Sequence, residues 1–311
     1  MTTMPASTID ARELRGNPRR QRKEEAIRLL FLAAAASSIG ISLTIIISLF
    51  DNALTFLTNI ELSSLWTDGW FPRRGLFDVK TLLVGTLLTT AIAMLIAAPL
   101  GLGAALFLSE YASPRVRRIV KPILEILASV PSVVIGFFAL TWISPEIVQM
   151  INPAANRFNL LAAGVGIGLL STPLVASVAE DALRAVPNSL REAAYGMGSR
   201  TMATTLRVVF PAAISGIVAA LILAVSRAIG ETMVVAIATG GSGGSLFTTD
   251  VFEPGQTLTA AMAALATGSD QVRGAGQAFN SLFFLGLSLF AVTLMLNVVG
   301  DTFVRRVRNR Y

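Results

Sequence analysis

The sequence predicts an all-α, polytopic membrane protein with six transmembrane helices, and two observations support this fold class. First, 53% of the 311 residues are hydrophobic and only 14% are charged, with a mean hydropathy of +0.67, whereas an ordinary soluble domain carries about 25% charged residues. Second, six apolar blocks reach the length of about 20 residues that a helix needs to cross a bilayer. These blocks are 27–50, 79–109, 119–143, 160–179, 208–238 and 279–304.

The first block follows a polar and basic segment, 1–26, which we expect to be a mobile cytoplasmic tail because it has almost nothing apolar to bury. This segment has no short apolar stretch followed by a small-residue cleavage site. We therefore interpret the first block as a retained span and not as a cleaved signal peptide. We expect the first helix and its outer loop to form the region 27–78, followed by a core, 79–305, and a basic C-terminal end, 306–311.

The remaining blocks carry prolines and differ in length. The second and fifth blocks are long enough to tilt, kink or extend beyond the lipid. Pro99, Pro131 and Pro173 fall inside predicted spans, where neighbouring helices must satisfy the carbonyl groups that each proline frees. Pro211 falls near the start of the fifth span, where a proline disturbs a helix less.

Lysine and arginine predict the orientation, because they are enriched on the cytoplasmic side of a membrane protein. Of the 25 such residues, nineteen fall in the N-terminal tail, the second-to-third connection, the fourth-to-fifth connection and the C-terminal end, whereas five fall in the loops between. Both termini are therefore expected in the cytoplasm. We expect outer loops at 51–78, 144–159 and 240–278. The Gly-Gly-Ser-Gly-Gly-Ser run at 240–245 lacks the Lys-Ser/Thr ending of a P-loop, which favours a flexible loop.

Composition also excludes several kinds of chemistry. The chain has no cysteine and no histidine, which excludes disulfides, thiolate and imidazole metal sites, and nucleophiles of the Ser-His or Cys-His type. No Walker motif occurs, so we expect no ATP hydrolysis and no catalytic residue in this chain. No metal or cofactor is expected. The net charge of +6 gathers beside the membrane blocks, which predicts a lipid bilayer and not a nucleic acid as the partner of the basic residues.

The cytoplasmic loop at about 184–207 has signals for two helices joined by a sharp turn. Ser189 and Glu192 have the spacing of a capping box, which predicts a helix from Ser189 to about Met197. Gly198 suits the left-handed position that ends such a helix. Ser199 is expected to cap a second helix, which continues through Val208 toward the fifth span.

One face of the first loop helix is apolar and small. Leu190, Ala193, Ala194 and Met197 share that face at helical spacing. The alanines let the backbone of another protein approach closely, while Leu190 and Met197 supply apolar anchors. The alternative is an ordinary cytoplasmic connection with a well-capped helix, because Glu-Ala-Ala alone is common in helices.

The complete frame of this loop is more specific. It reads Glu192-Ala193-Ala194, three residues, Gly198, nine residues, and then Val208-x-Phe210-Pro211. The frame resembles the EAA loop of type I ATP-binding-cassette (ABC) importer permeases, and it lies before the fifth of six spans. This resemblance implies the MetI-like permease fold.

Three further segments resemble the permeases of phosphate-specific importers: Ser-Glu-Tyr-Ala at 109–112, Val-Pro-Ser-Val-Val-Ile-Gly-Phe-Phe-Ala-Leu at 130–140, and Arg-Ala-Ile-Gly-Glu-Thr-Met at 227–233. The Gly-Glu-Thr-Met form is similar to PstC-like rather than PstA-like subunits, and the resemblance covers about 75–305. It implies a heterodimer with a PstA-like permease, two copies of a PstB-like ATPase and a PstS-like extracytoplasmic phosphate-binding protein. It also implies a bacterial inner-membrane location and a role in phosphate import.

A charged pair falls in the fifth predicted span. Arg227 and Glu231 are four residues apart, so on a continuous helix they share one face. A charge at this depth costs at least about 2.5 kcal/mol, so both are expected to face protein or water. The pair either lines the substrate path, with Arg227 contacting an oxyanion, or fastens the fifth helix to a neighbour. Ser226 and Thr232 flank the pair as candidate hydroxyl donors.

Other candidates are weaker. Ser171 and Thr172 precede Pro173 in the fourth span, and Ser132 follows Pro131 in the third; each hydroxyl either repairs a proline kink or contacts substrate. At the cytoplasmic side, Glu125 is expected to pair with Lys121, four residues earlier. Glu110 and Tyr111 are expected to brace the predicted cytoplasmic loop at about 184–207, which we call the coupling loop.

Three other functions remain as alternatives. A permease for molybdate, sulfate or another oxyanion is possible, since an arginine discriminates weakly among them. An ion-coupled secondary transporter would explain Arg227 and Glu231 but leaves the EAA frame unexplained. An intramembrane enzyme lacks equipment, because the spans contain no histidine, cysteine or paired aspartates.

Overall fold

A computed structural model describes residues 18–67, 69–240, 244–268 and 276–308. Most of these residues are helical, because the apolar blocks must satisfy their backbone groups internally. The helices are α1 (Pro18–Thr58), α2 (Val79–Leu106), α3 (Pro114–Ala128), α4 (Ser132–Phe138), α5 (Gln149–Ile151), α6 (Leu160–Arg184), α7 (Asn188–Gly196), α8 (Thr201–Thr204), α9 (Phe210–Gly230), α10 (Met233–Ala238), α11 (Leu258–Ala266) and α12 (Gly276–Arg308).

Three π-helical turns extend or join these helices: Phe107–Tyr111 after α2, Ala139–Val148 between α4 and α5, and Thr205–Val209 between α8 and α9. The chain divides into two units, Met1–Asp51 and Asn52–Tyr311, and the candidate sites all lie in the second. In the first unit, α1 begins at Pro18, so residues 18–26 of the expected mobile tail are helical. The rest of that expected tail lies outside the described residues, as do 309–311 of the basic C-terminal end.

Six helical segments in the described chain are long and apolar enough to cross a membrane, which confirms the predicted number. They are Arg22–Thr58, Val79–Tyr111, Ser132–Ile151, Leu160–Arg184, Thr201–Gly230 and Gly276–Thr302. Pro99 and Pro173 lie inside α2 and α6, as predicted.

The third predicted span, 119–143, is wrong at its start. Residues 114–128 instead form α3, an amphipathic helix with no buried residue, and the spanning segment begins at Ser132. Pro131 precedes the first turn of α4 and does not lie inside the span. A proline is tolerated there because the first amide groups of a helix have no intrahelical partner.

The fifth predicted span, 208–238, is not one continuous helix. The α9 helix ends at Gly230, Glu231 is extended with φ −68° and ψ 125°, and α10 begins at Met233. Apolar periodicity did not reveal this break, because the residues on both sides of it are equally hydrophobic.

The predicted outer loop 240–278 contains an additional helix. Residues Leu258, Ala261 and Leu265 of α11 are buried in a core cluster with Phe56 and Leu285. Part of the glycine-rich run at 240–245, residues 241–243, lies outside the described residues. The sequence did not predict α11, because nine residues are too few to count as a span.

The other outer loop carries a small antiparallel hairpin, β1 (Trp70–Phe71) with β2 (Leu76–Phe77). Trp70 is fully buried, and its backbone exchanges hydrogen bonds of 2.8 and 2.9 Å with Ser245. Asp78 caps α2 by accepting from the amide of Lys80, and its carboxylate also accepts from the Thr81 hydroxyl at 2.6 Å. The two predicted outer segments therefore meet on one side of the molecule.

The centre of the second unit is the close packing of α2 against α6. A Cβ atom at Gly164 would lie 2.7 Å from Ile92, and one at Gly168 would lie 3.0 Å from the carbonyl oxygen of Ala93. Glycine at these positions lets the two backbones approach, which is the usual way that membrane helices gain contact. The α2–α6 pair is the closely packed centre to which the site elements attach.

Candidate functional site

The coupling loop contains the predicted first helix, with a different start. The α7 helix begins at Asn188, and its N-cap is Pro187, which makes no side-chain cap hydrogen bond. The capping box of Ser189 and Glu192 is therefore wrong, since both residues lie inside the helix and are exposed. Pro187 has an extended backbone, with φ −57° and ψ 137°, and the helix begins at the next residue.

The end of α7 confirms the prediction for Gly198, which has a φ of +79°. The amide of Gly198 donates to the carbonyl of Tyr195 at 2.9 Å, and that of Ser199 donates to Ala194 at 3.0 Å. These two bonds form a Schellman motif. Ser199 is not the cap of the next helix, because α8 begins at Thr201 with Arg200 at its N-cap.

The second loop helix is one turn of α8 followed by the π-helical turn Thr205–Val209, which runs directly into α9. Pro211 lies in the first turn of α9, as predicted. The loop is therefore joined to the fifth spanning segment without an intervening coil.

The predicted apolar face of α7 is accessible. Met197 is 88% exposed and Leu190 is 43% exposed, while Ala193 is exposed and Ala194 is half-buried. Exposed apolar side chains on a segment that does not itself span the membrane are typical of a docking surface.

Arg191 fastens α7 to two other elements. Its Nη2 donates to Glu110 Oε1 at 3.0 Å and its Nε to Oε2 at 3.3 Å. Its Nη1 and Nη2 also donate to the carbonyl groups of Val186 at 2.6 Å and Leu183 at 2.9 Å. The prediction that Glu110 braces the loop is confirmed, whereas Tyr111 is exposed and makes no hydrogen bond within the described residues.

A second charged cluster, which the sequence analysis missed, holds α3 on α6. Glu180 is fully buried, and its carboxylate lies 2.6 Å from Arg117 Nη2 and 2.8 Å from Lys121 Nζ. Lys121 also contacts Asp181 at 2.6 Å. The predicted pair of Lys121 with Glu125 is therefore wrong. The sequence did contain a signal for this cluster. Glu180 directly follows the fourth apolar block, and a carboxylate that is buried there needs a cationic partner.

The surroundings of Lys121 change its acidity. Partial burial by itself lowers the pKa of this ammonium group, but hydrogen bonds to Asp181 and Glu180 outweigh the burial, so the pKa is raised above its ordinary value of 10.5. Lys121 is therefore fully charged at neutral pH. Between the two charged clusters lies a cleft of about 430 Å³, whose lining includes Glu110, Arg117, Arg184, Asn188 and Arg191.

The intramembrane pair predicted in the fifth span does not form. Arg227 is exposed in the last turn of α9, and no ion pair joins it to Glu231 within the described parts of the chain. Glu231 lies beyond the end of the helix, so the two residues do not share a helix face. Its carboxylate accepts instead from the amide of Val234, at 3.5 Å.

The hydroxyl groups predicted to line the path differ in their hydrogen-bond partners and in their burial. Ser226 donates to Asn297 of α12 at 3.4 Å, and Thr232 donates to the carbonyl of Gly230 at 3.2 Å. In α6, Thr172 donates to the carbonyl of Gly168 at 2.8 Å, the usual contact of a threonine with the preceding helical turn. Ser171 is fully buried, and its hydroxyl has no partner among the described residues. Ser132 is half-buried at the start of α4.

The break between α9 and α10 is supported by the unpredicted helix α11. The carbonyl of Glu231 accepts from the hydroxyl of Thr259 at 2.8 Å, and the hydroxyl of Thr86 on α2 accepts from the amide of Leu258 at 3.1 Å. Thr257 caps α11 by accepting from Ala260. Non-helical backbone at membrane depth is tolerated where protein surrounds it in this way.

Comparison with known proteins identifies the relatives of this chain. Residues 97–311 match the family described as "Binding-protein-dependent transport system inner membrane component". The chain is 33% identical over 283 residues to a phosphate transport system permease protein PstC of Mesorhizobium japonicum, covering 85% of this chain and 84% of the relative. It is 32% identical over 282 residues to PstC 1 of Mycobacterium tuberculosis, covering 82% and 83%.

Two solved structures support the fold. A bacterial ABC transporter chain involved in alginate import matches with a TM-score of 0.63 at 15% identity, covering 93% of this chain and 99% of that one. A chain of the MetNI methionine ABC transporter matches with a TM-score of 0.53 at 22% identity, covering 74% and 94%. The MetI-like permease fold expected from the resemblance is therefore confirmed, as is the resemblance to PstC-like permeases. The six apolar helices and the family together make the chain a multi-pass inner-membrane component.

Proposed function

The chain belongs to the family of binding-protein-dependent transport system inner membrane components, and we propose that it moves inorganic phosphate into the cytoplasm as the permease subunit of an ABC importer. One observation carries the choice of phosphate: the relatives named PstC are similar to this chain over more than four fifths of its length. The chain supplies the path, and ATP hydrolysis belongs to a partner.

The partners that we propose are a PstA-like permease, two copies of a PstB-like ATPase and a PstS-like phosphate-binding protein. Both termini and α7 lie on the cytoplasmic side in this proposal, on account of the lysine and arginine distribution. Two contacts support this arrangement: Trp70 with Ser245 joins the two predicted outer segments, and Arg191 with Glu110 joins two predicted inner ones.

The ATPase docks on the exposed face of α7. Leu190, Ala193 and Met197 present small and apolar side chains there, with Ala194 at the edge. Ser189 and Glu192 lie beside this face, and the left-handed turn at Gly198 connects it to α8 and the fifth spanning segment. Movement of the ATPase then reaches the membrane helices through a short and closely connected segment.

Arg227 is the residue that we assign to the substrate path. Its guanidinium group has no ion-pair partner within the described residues, so it is available to an oxyanion, whose tetrahedral oxygens suit its planar donors. The break after α9 places Glu231 out of register with it, so Glu231 does not neutralise Arg227 in this arrangement. A pore residue of this kind binds weakly, because a deep energy well slows release. Ser226, Thr232, Ser171, Thr172 and Ser132 remain candidates for hydroxyl contacts along the path.

The experiment that tests the function uses proteoliposomes containing this chain with its partner permease, ATPase and binding protein. We expect ATPase activity and anion uptake to be stimulated by phosphate with the binding protein. Stimulation by molybdate or sulfate instead of phosphate would identify a different substrate and contradict the phosphate assignment. Uptake that persists without the ATPase would favour an ion-coupled secondary transporter.

Variants of the loop and of the path separate the two roles. Glu192→Lys or Gly198→Pro is expected to uncouple uptake from hydrolysis while the chain still inserts into the membrane; normal uptake in both variants would contradict the coupling assignment. Arg227→Gln is expected to reduce phosphate-dependent uptake without loss of the ATPase from the complex. Loss of assembly in that variant would assign Arg227 a structural role.

A further inference from the structure

Residues 185–187 join the start of α7 directly to the end of α6. Beyond this link, α7 is connected to the membrane helices by two routes. The covalent route leaves α7 through Gly198, whose φ is +79°, and passes two non-helical residues before α8 begins at Thr201. This short non-helical stretch is the hinge of the route, because α8 continues through the π-helical turn Thr205–Val209 directly into α9. None of the nine residues of α7 is buried, so apolar packing does not hold this helix in place. The second route is the side chain of Arg191.

The guanidinium group of Arg191 donates to acceptors on two sides, a carboxylate and two backbone carbonyls. Two of its nitrogens contact the two oxygens of Glu110, and two backbone carbonyls at the end of α6 and just after it accept from the same group. Only 14% of the Arg191 side chain and 3% of the Glu110 side chain are exposed. A bidentate, charge-assisted pair of this kind has a fixed geometry as well as a large interaction energy.

Glu110 belongs to the end of α2. It lies in the π-helical turn Phe107–Tyr111, which continues α2 without a break, and its carboxylate also accepts from the Ser109 hydroxyl at 2.7 Å. The α2 helix in turn packs closely on α6: a Cβ at Gly101 would lie 2.6 Å from the Cβ of Val175. A force applied to Glu110 therefore acts on α2 and α6 together.

We propose that the Arg191–Glu110 pair is a strut that carries the displacement of α7 to α2, so that ATPase movement reaches the α2–α6 pair through α2 as well as through the chain links from α7 to α6 and α9. This inference rests on the proposed coupling role of α7 and deepens it. Arg191 and Glu110 are positioning residues, since neither contacts ATP or the transported anion.

A merely structural pair and a strut predict different results for Glu110→Gln. This variant keeps the size of the side chain, and Arg191 keeps its carbonyl acceptors. In the complete transporter in proteoliposomes, we expect the number of phosphate ions imported per ATP hydrolysed to fall by about tenfold, within the usual range for coupling between two sites. The ATPase is expected to co-purify in the same amount as with the parent chain.

Two further variants test the geometry. Glu110→Asp keeps the charge and is expected to recover part of the import-to-hydrolysis ratio. Arg191→Lys keeps the charge but loses the planar fork, and is expected to resemble Glu110→Gln. The matched control is Asp301→Asn, which breaks the exposed Arg305–Asp301 pair of 2.8 Å at the end of α12 and is expected to change neither the ratio nor assembly.

A second measurement does not depend on which anion is transported. Because the chain contains no cysteine, spin labels can be placed at Tyr195→Cys on α7 and Leu100→Cys on α2, both of which are exposed. We expect the distance between the labels to stay constant on ATP addition in the parent complex and to change in Glu110→Gln.

The outcomes separate the two proposals. An unchanged import-to-hydrolysis ratio in Glu110→Gln, or a fall that only follows loss of assembled complex, would overturn the strut while leaving the proposed function in place. An ATP-dependent change of label distance in the parent complex would overturn it as well. If the parent imports another oxyanion, the phosphate assignment fails, and the ratio measured with that anion still decides the strut.

Discussion

Two combinations of arginine with glutamate teach opposite lessons about reading charge from sequence. Arg227 and Glu231 are four residues apart in an apolar block, yet the helix ends between them and no ion pair joins them within the described residues. Arg191 and Glu110 are 81 residues apart, yet their side chains form a nearly buried, bidentate pair. Proximity along the chain predicts an ion pair only where the helix is continuous.

The two regions are also stabilised by different interactions. On the side of α7, buried carboxylates of Glu110 and Glu180 hold elements together through arginine and lysine. At the break after α9, hydroxyl and backbone groups make the contacts, and close backbone approach replaces charge. The first kind of contact is an interaction between charges, whereas the second combines hydroxyl hydrogen bonds with close backbone approach at glycines.

The largest expected effect is that of Glu180→Gln, which removes the buried charge between α3 and α6. We expect a loss of about 3 kcal/mol of stability, at the lower end for breaking a buried ion pair, because Arg117 and Lys121 can turn toward water. Thermal unfolding of the purified complex measures this loss, and protease cleavage within α3 is expected to increase. Asp301→Asn, which breaks the exposed pair on α12, serves as the control; an equal loss in both variants would contradict the comparison.

The next effect tests the region held by backbone approach. A Cβ at Gly85 of α2 would overlap the carbonyl oxygen of Gln256, just before α11. Gly85→Ala is expected to cost about 2 kcal/mol through overpacking, measured by the same thermal unfolding. Gly103→Ala is the matched control in the same helix, since nothing lies within 4 Å of a Cβ at that position. A stable Gly85→Ala variant would show that α11 is not packed as described.

Arg227→Gln is expected to leave stability unchanged, because substitutions at exposed positions usually stay within about 0.5 kcal/mol. Its effect is expected in phosphate uptake instead. Arg227→Gln is therefore expected to lower uptake without lowering stability, whereas Glu180→Gln is expected to lower stability. An unfolding temperature lowered as far as in Glu180→Gln would mean that Arg227 has a structural partner.

The smallest expected effect concerns pH: the contribution of Lys121 to stability is expected to stay constant near neutral pH. The pKa of Lys121 is raised in the folded protein, so its contribution to stability is complete below the ordinary lysine value of 10.5 and is lost only as the pH rises through the higher folded value. Comparison of the parent with Lys121→Met is expected to give a constant stability difference from about pH 6 to about pH 9. A difference that declines within this range would contradict the raised pKa.

Several features were predictable because they depend on local chemistry. The six spans follow from hydropathy and length, and the left-handed turn at Gly198 follows from the conformational freedom of glycine. The grouping of Leu190 and Met197 on one apolar face was predicted from helical spacing, whereas their exposure is visible only in the structure. The capping box at Ser189 was wrong because α7 already begins at Asn188, after Pro187, so that Ser189 and Glu192 lie within the helix.

By itself, the sequence determined the membrane class, the number of spans, the arginine-rich side and the apolar face of α7, because each of these depends on composition or on periodicity within one segment. Only the tertiary structure decided that α3 lies outside the third span, that the fifth span breaks before Glu231, and that Glu110 and Glu180 find their cations on other helices. These outcomes depend on contacts between segments far apart in the chain. The burial of a charge or of a non-helical turn is tolerated only when such a distant segment supplies its partner.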